Sequence, residues 1–251
     1  MQPAVLITGG AKRIGSALAR SFAKAGWRVV IHYGRSQAEA EALAASLPHA
    51  RTVQCELNDP AAAAAMIAQL AGELDDWRLL INCAAVFNED TAEQLDHHVF
   101  TEAMAVNAES PARMAQVFLQ QARSQGGRRV IQFLDMKIAN PNPDFFSYTM
   151  SKHALAATVK TQAMACTDPA DRVYGLAPGA IMASHDQQPE EHETSGRLNL
   201  LQRITEAQEL ADAALFLAEG WLASGETLFI DSGQHLMSQP RDVLYMARGL
   251  A

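Results

Sequence analysis

Cysteine is scarce in this 251-residue chain. There are three, Cys55, Cys83 and Cys166, an odd number with no Cys-x-x-Cys spacing. That excludes a disulfide scaffold and fits a reducing, cytoplasmic setting with free thiols. No apolar run approaches the roughly 20 residues that a membrane-spanning helix needs, so no membrane partner is expected. Met1-Gln2-Pro3 opens directly onto strand-like residues with no charged leader, so no export signal is expected. Basic excess is lacking too. Lys plus Arg total 20 against 28 Asp plus Glu, a formal charge of −8, which argues against a nucleic-acid surface. Eight histidines are present, but none falls in a spacing that gives three ligands. His97 and His98 are adjacent, and His185 and His192 lie in a polar stretch, so no metal is expected. No Pro/Ser linker or repeat divides the chain. What is abundant is hydrophobic residue, 49%, with 19% charged, enough to bury the core of one domain over residues 1–251.

The apolar pattern alternates between two periods. Ala4 to Thr8 is a continuous β-rich run, which predicts a strand buried on both faces. Ile14 to Ala25 follows in helical period, closed by Gly26, and Arg28 to His32 is the next strand. Further strands are predicted at 52–55, 79–82, 130–134, 172–176 and 227–230. Helices are predicted at 37–47, 60–74, 99–125, 147–166 and 206–218. Seven strands with helices between most of them define an α/β class, a single-domain Rossmann fold with a doubly wound, seven-stranded parallel sheet. Two stretches break the rhythm at strand ends, where such sheets bind ligands. One is Lys137 to Phe146. The other is Ile181 to Arg203, taken as a substrate loop over about 181–205.

Thr8-Gly9-Gly10-Ala11-Lys12-Arg13-Ile14-Gly15 joins the first strand to the first helix. Gly9 permits a tight turn and Gly15 close packing of helix on strand, while the N–H groups at the helix start suit a dinucleotide's phosphates. Arg13 stands where a middle glycine is common, and its guanidinium is expected to reach phosphate. The second strand ends His32-Tyr33-Gly34-Arg35-Ser36, with no acid until Glu39. An acid there would bind a free ribose 2′-OH. Arg35 and Ser36 suit a 2′-phosphate instead, which predicts NADP(H) over NAD(H).

Tyr148 and Lys152 are four apart in a helical pattern, so they share a face, and a nearby ammonium is expected to lower the phenol's pKa. Asn82-Cys83-Ala84-Ala85 ends the fourth strand, Asn107 lies in the following helix, and Pro178-Gly179 ends the sixth strand. With Thr8-Gly9 and Tyr148/Lys152, these residues resemble the short-chain dehydrogenase/reductase family along nearly the whole chain. The resemblance implies Tyr148 as proton donor, Lys152 holding the nicotinamide ribose, and Asn107 ordering a water relay behind Lys152. It lays the cofactor along Gly9, Arg13, Ile14, Gly15, Tyr33, Arg35, Ser36, Glu56, Leu57, Asn82, Ala84, Lys152, Pro178, Gly179 and Ile181. It also implies a homotetramer, joined by the Ala-rich helices after strands four and five, with the tail through Leu250 crossing a subunit boundary.

The departures narrow the family. Strand five usually ends in a Ser that binds a carbonyl oxygen, but here Asp135 takes that place in Gln132-Phe133-Leu134-Asp135-Met136. A carboxylate repels a developing oxyanion but pairs well with ring nitrogen, and in protonated form it can deliver a proton there. With Arg13 in the glycine turn and Arg35-Ser36 after strand two, the set resembles the pteridine reductase and dihydromonapterin reductase branch. That implies an NADPH-dependent reductase of a dihydropterin-type small molecule, with Phe87 stacking the ring against the nicotinamide and Asp135 and Tyr148 supplying the proton. Ala85, Glu56, Tyr174 and the 181–203 stretch depart from that branch. A carbonyl reductase of the same fold and a non-catalytic NADP(H)-sensing module are the alternatives. Cys83 is read as a small buried residue rather than a nucleophile.

Overall fold

The computed structural model describes residues 2–183 and 187–250, so His185 lies outside the described residues. Seven parallel strands form one sheet in the order β3-β2-β1-β4-β5-β6-β7. They are β1 (Ala4–Ile7), β2 (Arg28–Tyr33), β3 (Ala50–Gln54), β4 (Trp77–Asn82), β5 (Arg129–Phe133), β6 (Arg172–Pro178) and β7 (Thr227–Ile230). The strand order reverses between β1 and β4, which opens a crevice at their C-terminal ends.

Strand alternation divides the core. Leu6, Val30, Leu80 and Val130 face one apolar cluster, and Val5, Ile7, Ile31 and Leu79 face the other. The first cluster is covered by α3 (Pro60–Glu73), α5 (Ser110–Gln121) and α6 (Phe146–Ala165). The second is covered by α1 (Arg13–Lys24), α2 (Gln37–Ala45) and α8 (Ala207–Glu219). Both faces of the central strands are therefore buried, which is why they read as unbroken apolar runs.

The helix expected over 99–125 is broken. It forms α4 (His97–Met104), a π-helical turn at Ala105–Glu109, and α5. Pro111 has no N–H to offer the Asn107 carbonyl four residues earlier, so the regular ladder cannot run through. The 181–205 stretch contains a short helix, α7 (Pro189–Ser195), opened by a capping box between Gln188 and Glu191. The tail follows β7. After a 3₁₀ turn at Gln234–Leu236 it ends in α9 (Val243–Ala247), with Val243 and Leu244 buried against its own domain.

Candidate active site

The glycine turn is built around one close approach. A Cβ on Gly15 would lie 2.2 Å from the Gly9 carbonyl oxygen, and Gly9 itself has φ +62. No side chain caps the N-terminus of α1, and its first turn holds no acid. The turn therefore presents an uncapped helix start at the crevice, a cradle that fits dinucleotide phosphates. At the far end, Ser36 opens α2 without capping it, and Arg35 beside it is 84% exposed, 3.8 Å from Glu56. Arg13 differs from expectation. Its backbone is left-handed, and its guanidinium donates to the carbonyls of Ala183 (2.6 Å) and Met182 (3.3 Å), tying the turn to the segment after β6.

His32 is a residue that sequence reasoning did not single out. Its buried ring accepts from the Gly9 N–H at Nδ1 (3.2 Å) and donates from Nε2 to the Cys55 carbonyl (2.9 Å). Burial drives its pKa down to about 4, against a partial lift from the Cys55 bond. A second proton would face Nδ1–H against the Gly9 donor. As pH falls below 6.5, the unfolded chain takes a proton that the folded chain refuses, so stability is lost between about 6.5 and 4. The expected loss is about 3 kcal/mol, from 1.36 kcal/mol per pKa unit. Urea unfolding at pH 7 and pH 4.5 measures it, and His32→Gln should flatten that pH dependence.

Asp135 ends the β5 segment in extended conformation and caps the 3₁₀ turn Met136–Ile138. Its Oδ1 accepts from the Lys137 N–H (2.9 Å) and its Oδ2 from the Tyr148 hydroxyl (2.8 Å). Burial raises the pKa of Asp135, opposed by the Lys137 amide and charge, the phenol and Lys152. Tyr148 departs from expectation. Burial and then Asp135 raise its pKa well above 10, because a phenolate would sit against the carboxylate. The ammonium expected to lower it is occupied elsewhere. Lys152 Nζ donates to the Phe133 carbonyl (2.7 Å) and lies 5.5 Å from the Tyr148 ring centre, its own pKa brought down to about 8 by burial.

Asn107, on the π-helical turn, clamps the segment after β4. It accepts from Val86 N–H (2.8 Å) and donates to Val86 O (2.9 Å) and Ser151 Oγ (3.0 Å). Its amide hydrogens are thus spent on protein, holding the base of Phe87 against α6. Phe87 stacks on Phe145, with ring centres 3.9 Å apart, and meets Tyr148 edge-on. Phe145, at φ 52, is a bulky residue in the left-handed region immediately before α6.

A cavity of about 620 Å³ brings together Gly9, Arg13, Ile14, Gly15, Ala84, Phe87, Asp135, Tyr148, Lys152, Pro178, Gly179 and Ile181. Tyr33, Arg35, Ser36, Glu56 and Leu57 are not among its lining residues; they stand at and beyond the ends of β2 and β3. Asn82 and Asn107 lie behind it. Asn82 turns inward to Gln132 Oε1 (2.9 Å) and the Pro111 carbonyl (3.2 Å). Cys83 is half-buried at the cavity wall, and desolvation pushes its thiol up to about 12, away from thiolate chemistry. Among the described residues no group of three metal-ligating side chains forms, and no helix is long and apolar enough to cross a membrane.

A Rossmann sheet, a glycine cradle and a Tyr/Lys pair in one crevice define a dinucleotide-dependent oxidoreductase. A family model described as enoyl-(acyl carrier protein) reductase matches residues 9–235, and the chain belongs to the short-chain dehydrogenase/reductase family. It is 27% identical to pteridine reductase 1 of Leishmania tarentolae, over 93% of this chain and 96% of that one. It is 26% identical to a putative ketoacyl reductase of granaticin polyketide synthesis in Streptomyces violaceoruber, over 94% and 97%. Among solved structures, FolM alternative dihydrofolate reductase 1 of Brucella canis, complexed with NADP, superposes with a TM-score of 0.88 at 33% identity, covering 96% of each chain.

Proposed function

We propose that the chain reduces a dihydropterin-type substrate with NADPH, placing a proton on ring nitrogen as hydride reaches the adjacent carbon. The observation that carries this is the Asp135 carboxylate hydrogen-bonded to Tyr148 at the cavity wall beside Phe87. The likeness to pteridine reductase 1 and to the FolM reductase supports it. When bound, NADPH would supply the hydride; the Gly9–Gly15 cradle would hold its phosphates, and Arg35 and Ser36 its 2′-phosphate.

The protein's own part is the proton. Loss of the Tyr148 proton beside an ionised Asp135 would leave two anions 2.8 Å apart. The proton given to substrate is therefore Asp135's, passed directly or through the phenol, and Tyr148 stays protonated throughout. Turnover then declines as pH rises and Asp135 ionises. Arg35→Ala should weaken NADPH binding roughly 10–100-fold, the worth of one charge-assisted contact, and leave NADH binding unchanged. A fluorescence titration with both nucleotides checks this.

NADPH oxidation measured with dihydrobiopterin, dihydromonapterin, dihydrofolate and an acetoacetyl thioester tests the assignment. Turnover of a dihydropterin well above the thioester is expected. The reverse order makes the chain a carbonyl reductase, and tight NADPH binding without turnover of any of the four makes it a binding module.

A further inference from the structure

The cavity wall holds a buried ion pair that the proposed reaction does not use. Lys137 Nζ lies 2.9 Å from Asp242 Oδ2, and the side chains are only 5% and 11% exposed. Lys137 follows the catalytic carboxyl by two residues, and its own amide fixes Asp135 Oδ1. Asp242 arrives from the far end of the chain, on the segment that leads into α9.

That segment is a strap over the pocket, bound on three sides. Arg241 pairs with Asp144 (2.9 Å) and the Asp242 N–H donates to the same carboxylate (2.7 Å). The Tyr245 hydroxyl donates to Glu89, and Arg248 pairs with Glu191 of α7 (3.1 Å). Asp242, Val243 and Leu244 line the cavity.

Lys137 is not arranged to bind substrate. An ammonium has three protons, and three acceptors surround this one: Asp242 Oδ2, Asn142 Oδ1 (2.7 Å) and the Asp144 carbonyl (3.4 Å). What remains to it is its field. We propose that the Lys137–Asp242 pair sets the acidity of Asp135: the strap's carboxylate cancels the ammonium two residues away, which would otherwise strip the acid of its proton. This rests on the reading of Asp135 as the proton donor.

The charged and titratable groups around the site are few. Lys137, Lys152 and Tyr148 act on Asp135, while Asp135, Asp242 and Cys83 act on Tyr148. Asp144, which also faces Lys137, is balanced by Arg241. Removing Asp242 therefore exposes Asp135 to an uncancelled positive charge, and removing Lys137 exposes it to an uncancelled negative one.

The test is a ¹³C NMR titration of the Asp135 carboxyl in the NADP-bound protein, with Asp135→Asn supplying the assignment. Asp242→Asn should move the midpoint down by about one pH unit and Lys137→Met up by a similar amount. The double variant, which leaves no unpaired buried charge, should return it close to wild type. If the midpoint stays put in Lys137→Met, or the double variant remains displaced, the proposal is wrong. Should Asp242→Asn fail to fold, Lys137→Met and the double variant still decide. The readout needs no turnover, so it stands apart from the substrate panel. A wild-type protein that ignores dihydropterins sinks the substrate assignment and leaves the titration to judge the pair.

Discussion

Asp135→Ser should lower kcat on a dihydropterin by roughly 10²- to 10⁴-fold, the usual worth of a positioned general acid. Serine restores a hydroxyl that can donate to a carbonyl oxygen, but it cannot hold an extra proton near neutral pH. Turnover of a ketone substrate should therefore hold or rise while dihydropterin turnover collapses. Asp135→Asn separates charge from shape. Its amide oxygen can still accept from the Lys137 N–H, while its NH2, in place of Oδ2, must donate to the Tyr148 oxygen rather than accept from it. It should nonetheless lose activity to a similar extent and lose the decline at high pH. Steady-state kinetics across pH with both substrates measures all of this. Full dihydropterin turnover in the serine variant would remove Asp135 from the chemistry.

The second large effect is at Gly15. An alanine Cβ would sit 2.2 Å from the Gly9 carbonyl oxygen and 2.9 Å from Gly10 Cα, both backbone atoms. Neither can give way easily. The Gly9 N–H is held by His32, the Gly10 N–H by the His32 carbonyl, and a Cβ on Gly9 would already touch Ala84. Overpacking of this kind costs about 1–3 kcal/mol. The turn can accept it only by opening, which spreads the phosphate cradle. Gly15→Ala should lower NADPH affinity by about 100-fold, roughly 3 kcal/mol at 1.4 kcal/mol per decade, and lower the melting temperature. Gly72→Ala is the control. It lies in α3 with nothing within 4 Å of the new methyl, so it should stabilise by about 0.4–1 kcal/mol without touching cofactor binding. Isothermal titration with NADPH and thermal unfolding of the two variants make the comparison.

The parts of this molecule that could be read from sequence are those whose cause is local. Val5 to Ile7 and Leu79 to Ile81 read as strands because burial on both faces forces continuous apolar runs. The cradle was legible because Gly9 and Gly15 are demanded by a single turn. Tyr148 and Lys152 share a face through helical spacing alone, and Asp135 entered through family resemblance. What escaped depends on contacts between distant residues. The acidity of Tyr148 departs from expectation because spacing to Lys152 says nothing of the phenol's burial or of the Asp135 carboxylate against it. The π-helical turn at Asn107 had a signal in Pro111, which interrupts any ladder, but the long apolar period of the segment masked it. His32 looked like one more strand residue, although its ring joins the glycine turn to the residue after β3. Asp242 belongs to a tail with no strong periodicity, and only the fold brings it to Lys137.

The central claim is geometric: a substrate ring whose nitrogen meets Asp135 and Tyr148. A crystal structure of the ternary complex with NADP and a dihydropterin tests it directly. The account predicts the ring against Phe87, with one of its nitrogens within hydrogen-bond distance of the Asp135 carboxyl or the Tyr148 hydroxyl. A ring bound with both groups out of reach of nitrogen, or with Asp135 turned out of the cavity, would contradict it.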